Sequence, residues 1–394
     1  MTERLYYQDP YIQHFTSHII KQGTDENGTF VVLQETAFYP TGGGQPCDIG
    51  TLNHVQVTRV EEIEGEIRHY TAEAVSGTIT GKINWPRRFD HMQQHAGQHI
   101  LSAAFAEKFG IQTISFHLGR DSSTIDLQIE ELSQETVLAA EELANEIVFN
   151  NIPIEVRWMN EEEANALPLR KKPKVTENIR IVMIKNFDYS GCGGTHPNRT
   201  GEVGAIKIVD WQRHKGHVRL TFLCGWRSIR TLQEKQTIVK DVVRLLNSKE
   251  RDVASKLANL IETQKELEKS LRELHEQLLA HEANRLSRTA RIHPNGKLIA
   301  AISHHSISDL AKMSAMLTQD SEAIVLLVTQ TDDKIQCICA CGQSIEQNMN
   351  EVLKSVLPLI NGKGGGNAKS ARGGGEAPIS AENLLEQLII KVSS

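Results

Sequence analysis

Two short segments restrict the folds open to this chain more than any other feature. "QQHAGQHILSAAF" sets His95 and His99 four residues apart in a helical pattern, and "GCGGTHPNRTGEVG" repeats that spacing with Cys192 and His196. On a helix, side chains at i and i+4 leave the same face, so the two imidazoles can address one point. Gly191, Gly193 and Gly194 allow a tight loop whose backbone N–H groups face that point. If the pairs act together, the fold must carry two remote segments onto one ion. Three imidazoles and a thiolate form a tetrahedral nitrogen and sulfur set, so one Zn2+ per chain is expected on His95, His99, Cys192 and His196. The competing reading is a solvated stripe of His91, His95 and His99 with Cys192 as a buried thiol. A closed four-ligand set is also the form that a structural site takes. "HMQQHAGQH" has no carboxylate between its last two histidines, which removes the general base of a helical zinc protease.

The rest of the 394 residues reads as an α+β chain of four parts. Residues 1–85 form a small β-barrel or sandwich: "GTFVVLQETAFYP", "VQVTRVEEI" and "GTITGKINW" are short β-segments bounded by Gly and Pro. Residues 86–230 mix helices with strands such as "IRIVMI" and "VRLTFLCG", an α+β domain that carries both metal motifs. Residues 231–290 are charged and nearly free of Gly and Pro. There Leu257, Leu260, Leu267, Leu271, Leu274 and Leu278 recur at three- and four-residue steps, with Gln264 in the one remaining seam position. This segment either pairs in trans or folds back as one arm of a hairpin, and pairing is favoured. Residues 291–394 form a small α/β domain with strands "KLIAAIS", "EAIVLLVT" and "KIQCICACG" and helices around 306–318, 345–357 and 381–392. Its Cys337, Cys339 and Cys341 alternate along a strand and read as small buried hydrophobes.

A formal net charge of −6 argues against general affinity for nucleic acid, so any such contact needs locally clustered cations. "LPLRKKPKV" supplies Arg170, Lys171, Lys172 and Lys174, although most such runs are solvated loops. No apolar run approaches the ~18 residues of a membrane span, and the N-terminus lacks the features of a signal peptide. Six cysteines without an even framework fit reduced thiols in the cytoplasm.

"FYPTGGGQPCDIG", "QQHAGQHILSAAF", "SFHLG", "GCGGTHPNRTGEVG" and "FLCGWR" together resemble the editing half of alanyl-tRNA synthetase, and most of all its freestanding relatives, the alanyl-tRNA editing proteins. "NGKGGGNAKSARGGGEAP" resembles the glycine-rich signature of the synthetase's C-terminal domain, shared with the DHH phosphoesterases. "FDHMQQH" breaks the Asp-His-His motif at Met92, and the chain begins at the β-rich region with no aminoacylation module expected. The resemblance implies a trans-editing hydrolase that cleaves the ester of serine, with glycine as a second candidate, on the alanine tRNA. A synthetase pocket sized for alanine discriminates poorly against both, so a second site must remove the errors.

By the same resemblance Thr41 is the partner of the serine hydroxyl, and Gly42, Gly43 and Gly44 bring backbone amides to the aminoacyl end. Gln45, Gln98, His117 and Ser115 are further candidates for lining the pocket. No catalytic residue is assigned, because no general base is visible. The metal either activates the ester or positions it. Lys363, Lys369 and Arg372 offer cations for a tRNA backbone, and residues 231–394 are the expected homodimer and tRNA-binding part. Two alternatives stay open: an editing hydrolase of the threonyl-tRNA synthetase type, and a non-catalytic zinc-containing tRNA-binding dimer.

Overall fold

The computed structural model describes residues 2–171, 175–331 and 333–393, so Lys172 and Lys174 of the basic run lie outside the described residues. The chain divides into two compact units, Met1–Val242 and Val243–Ser394. Among the described residues, no helix is long and apolar enough to cross a membrane.

In the first unit six strands close into a barrel in the order His14–Asp25, Gly28–Leu33, Glu66–Thr71, Val55–Ile63, Gly50–Leu52 and Thr78–Ile83. Inward residues such as Leu33, Leu52, Ile67 and Ile79 are fully buried. Strict alternation fails in Val55–Ile63, where Val57 and Val60 are both buried at an odd separation. A register shift between Val57 and Arg59 supplies the extra residue that returns Val60 to the interior.

Helix Trp85–Phe109 leaves the barrel with a defined start and stop. Asn84 caps the Arg87 N–H, Pro86 occupies the first turn, and Gly110 ends the helix in the left-handed region at φ 67°. From His91 to Phe105 every residue is buried, so its histidines lie inside the protein. Ala96, Ile100, Ala104 and Phe105 pack with helix Gln134–Phe149 and with an antiparallel sheet ordered Ile206–His214, His217–Cys224, Ser123–Leu127, Thr113–Leu118. A second antiparallel sheet, Ile154–Met159, Ile179–Ile184 and Asp188–Gly191, delivers the chain to Cys192.

The helical segment expected over 231–290 is shared between the units. Helix Trp226–Leu246 belongs almost wholly to the first, and Val253–Ser287 opens the second. The latter runs 35 residues, or about 52 Å at 1.5 Å per residue. Its C-terminal end is buried through Leu279, Ala283 and Leu286, while the leucine seam is exposed, Leu271 to 72%. The remainder of that unit is a six-stranded mixed sheet with helices Ile307–Leu317, Met349–Val356 and Ala381–Ser393. Cys337, Cys339 and Cys341 are buried in its core. The glycine-rich tail is a hairpin, Lys363–Gly366 against Ser370–Glu376, at the sheet's end.

Arg88 joins the long helix to the barrel. It is fully buried, as is its partner Asp48. Its Nε donates to both carboxylate oxygens of Asp48 at 3.1 and 2.9 Å, and its Nη1 donates to Pro10 O at 2.9 Å. Its Nη2 donates to Ala37 O and Asp48. Removing one partner of such a pair strands a buried charge, at a cost of about 3–5 kcal/mol. Arg88→Met is therefore expected to lower the free energy of urea unfolding of the first unit by about that amount. A loss below about 1 kcal/mol would show that the pair does not secure the helix.

Candidate metal centre

The ligand atoms of His95, His99, Cys192 and His196 lie within 4.8 Å of one another. Helix Trp85–Phe109 presents the first two one turn apart, and their rings stack at 5.4 Å with 15° between planes. The loop after strand Asp188–Gly191 presents the other two. Sγ of Cys192 is 3.3 Å from Nε2 of His95 and 3.3 Å from Nε2 of His196. Backbone N–H of Gly194 donates to the same sulfur at 3.3 Å.

Neighbouring acceptors fix which ring nitrogen faces the centre. Nδ1 of His95 donates to Oε1 of Gln45 at 2.9 Å, and Nδ1 of His99 donates to Oδ2 of Asp188 at 3.1 Å. Both rings therefore turn Nε2 lone pairs inward, the usual arrangement around metal-bound histidine. Nδ1 of His196 is buried without a hydrogen-bond partner among the described residues. Three imidazole nitrogens gathered around one sulfur form a set that a cation between them would satisfy. Four ligands at tetrahedral bond lengths would stand roughly 3.3–3.7 Å apart, which matches the sulfur–nitrogen distances here. The donor set thus fits a metal ion in both chemistry and spacing.

Electrostatics ready Cys192 as a thiolate, while His99 keeps a proton that an incoming cation must displace. Burial works to raise the Cys192 thiol, but the imidazoles of His95, His196 and His99 overcome it and hold the thiol well below its ordinary range. Burial alone would lower His99, yet Cys192 and Asp188 hold it up to about 9. Burial pushes His196 down to about 3, which keeps it neutral. For Asp188 burial is outweighed by the His99 hydrogen bond and the Arg170 charge, and its carboxyl is held down to about 2.

The supporting residues were not anticipated from sequence. Asp188 is gripped by Nε of Arg170 at 2.8 Å and by the Ser190 hydroxyl. Arg170, read from sequence as part of a basic run, thus acts inside the site. Arg180 donates through Nη1 to Cys192 O at 2.6 Å and Gly194 O at 2.9 Å, shaping the loop. Glycine is required at 194, where a Cβ would lie 2.2 Å from Cε1 of His95. The carboxylate four residues before Cys192 in "DYSGC" was the visible signal for Asp188, but only the hairpin pairing shows which residue it serves.

A cavity of about 660 Å3 opens on His99 and Cys192, with Gly43, Arg170, Lys171 and Arg180 among its walls. Gly42 and Gln45 close a tight bridge that holds the glycine turn. Gly44 sits against Phe116, whose ring lies 5.4 Å from that of His95. Gln45 is 1% exposed, and besides His95 it bonds Thr195 through both N–H and hydroxyl. Thr41 is exposed, and its backbone N–H donates to Val60 O. Gln98 donates to the Ser102 hydroxyl at 2.8 Å. Ser115 donates to Asp126, and His117 is exposed on the same strand.

Comparison with known proteins identifies the family. Residues 179–221 match the threonyl and alanyl tRNA synthetase second additional domain, and residues 295–393 match the DHHA1 domain. The alanyl-tRNA editing protein AlaX-L of Pyrococcus horikoshii is 31% identical over all of this chain and 99% of its own length. The chain belongs to the alanyl-tRNA editing proteins. The alanyl-tRNA editing protein Aarsd1 of Rattus norvegicus is 29% identical over 98% of this chain and 96% of its own. Alanine–tRNA ligase of Thermococcus kodakarensis matches 98% of this chain at 29% identity, but only 43% of the ligase is covered.

In this family member, Asp188→Asn keeps the shape of the His99 partner but removes its charge. Metal affinity, measured by competition with a chromophoric chelator, is expected to fall about 10–100-fold. Unchanged affinity would show that Asp188 does not orient the ligand.

Proposed function

We propose that this chain hydrolyses the ester of seryl-tRNA, and of glycyl-tRNA, on the alanine acceptor. As an alanyl-tRNA editing protein it is an aminoacyl-tRNA deacylase, and the single observation that supports the finer reading is the ligand cluster at the foot of a cavity that Gly43 also lines. Zinc is the metal that best suits three imidazoles and a thiolate. A zinc ion held by His95, His99, Cys192 and His196 would supply fixed positive charge beside the ester carbonyl and the substrate's amino group.

The chain's own groups do the remaining work. Arg170, Lys171 and Arg180 at the cavity wall favour the negative charge of a 3′-terminal nucleotide. Gly42, Gly43 and Gly44 bring backbone close to the aminoacyl group without side-chain bulk. Thr41 reads the serine hydroxyl, and Gln98 and His117 complete the substrate side. Gln45 acts from behind, by holding His95 and the Thr195 backbone. Alanine offers no hydroxyl to Thr41 and forgoes that hydrogen bond, which protects the correct product.

Residues 1–85 and 86–230 carry this chemistry, and 231–290 and 291–394 serve assembly and tRNA binding. The exposed leucine seam of Val253–Ser287 supports a homodimer, because six leucines at seam spacing bury apolar surface by pairing. Lys363 and Arg372 line a cavity of about 540 Å3 with the tail glycines and remain candidates for phosphate contact. Lys369 does not, since its ammonium is tied to the carbonyls of Gly342, Gln343 and Ile345.

Deacylation of seryl-, glycyl- and alanyl-tRNA of the alanine acceptor, with and without a zinc chelator, tests the reading. Serine and glycine esters should be cleaved and alanine spared, with activity lost on chelation and in Cys192→Ala. Thr41→Val should slow the serine ester about tenfold or more and leave the glycine ester nearly unchanged. An equal loss on both would make Thr41 structural. Leu271→Glu in the seam should convert the full-length protein from dimer to monomer in sedimentation. A wild-type monomer at micromolar concentration would refute the pairing.

A further inference from the structure

A cavity of about 1050 Å3 in the first unit has none of the four ligands among its lining residues and plays no part in the chemistry above. Helices Trp85–Phe109 and Trp226–Leu246 both turn their first residues toward it, a setting that favours anions. Its polar floor is unusual. Nδ1 of His91 and Oε1 of Gln93 are buried there without hydrogen-bond partners among the described residues, in side chains 3% and 4% exposed. Burial and the neighbouring Arg87, Arg227 and Arg88 push His91 down to about 3, so the ring is neutral.

Gln93 is held in one orientation. Its Nε2 donates to Glu202 O at 2.9 Å, and a Cβ on residue 225 would lie 2.4 Å from that amide, so Gly225 leaves room for it. The amide oxygen is thus a fixed acceptor with nothing to accept, which costs about 1–3 kcal/mol unless a ligand supplies a donor.

The walls are aromatic and charged, with Asp90, Asp121 and Glu234 set among Arg87, Arg120, Arg227 and Arg230. The rings of Trp85 and Phe89 lie 5.5 Å apart at 32°, and Trp226 is 60% exposed. Arg227 is consumed by Asp90, but Arg120 and Arg230 make no ion pair among the described residues. Flat apolar faces, free guanidinium groups and a buried acceptor suit one class of ligand. Bases stack on aromatic side chains, phosphates take the arginines, and an exocyclic amino group answers the acceptor.

We propose that this cavity is a nucleotide-binding site selective for bases that carry an exocyclic amine. Trp226 stacks the base, Arg120 and Arg230 take the phosphate, and Gln93 with His91 reads the base edge. The ligand is either a free mononucleotide or an unpaired nucleotide of an RNA, since both present this chemistry. The site is independent of the editing reading, and its test involves no ester.

Isothermal titration of the full chain with CMP, UMP, ribose 5-phosphate and single-stranded tetracytidylate and tetrauridylate tests it. Saturable binding of CMP assigns a free nucleotide, and binding of tetracytidylate alone assigns an RNA strand. In either case the uridine counterpart should bind about fivefold or more weakly. Trp226→Leu and Arg230→Gln, both at exposed positions, should each weaken binding about tenfold. Absence of saturable binding by every probe would overturn the proposal. So would ribose 5-phosphate binding as well as CMP, uridine probes matching cytidine probes, or affinities unchanged in both variants.

Discussion

One buried carboxamide holds the first unit's chemistry in place. Gln45 leaves the glycine turn between strand Glu35–Thr36 and the barrel strand Gly50–Leu52, and its oxygen accepts from both His95 and the Thr195 backbone while its nitrogen donates to the Thr195 hydroxyl. Three segments remote in sequence therefore meet on one side chain. A buried amide is stable only when its donors and acceptors are paired, so the barrel turn, the histidine helix and the cysteine loop are mutually dependent. Displace any one of them and His95 loses the acceptor that turns its lone pair inward.

The same logic extends outward through charge. Arg88 with Asp48 fixes where the long helix leaves the barrel, and Arg170 with Asp188 fixes where the hairpin meets His99. Each is a buried or nearly buried pair, which adds specificity of position more than net stability. Both helical histidines are consequently anchored through Nδ1 before any ion enters.

Much of this was legible in the sequence because it obeys local periodicity. The four-residue spacings of His95 with His99 and Cys192 with His196 foretold the cluster, and leucines from Leu257 to Leu278 foretold the exposed seam of a long helix. What was not legible depends on contacts between remote segments. Gln45 read as a substrate residue beside glycines, yet its side chain is buried against Thr195. Arg170 read as part of a basic run and Asp188 drew no reading at all, and only hairpin pairing brings them to His99. The bulge that returns Val60 to the barrel interior leaves no mark in composition. The glycine tail carries no side-chain pattern from which to read its hairpin.

This arrangement predicts that the three segments close on a single metal ion through three nitrogens and one sulfur. Zinc K-edge X-ray absorption on the full-length protein, reconstituted with one equivalent of Zn2+, tests this most directly. The first shell should hold one sulfur at about 2.3 Å and three nitrogens at about 2.0–2.1 Å, the latter with the outer-shell scattering of imidazole. A first shell without sulfur, or one made largely of water oxygens, would contradict it.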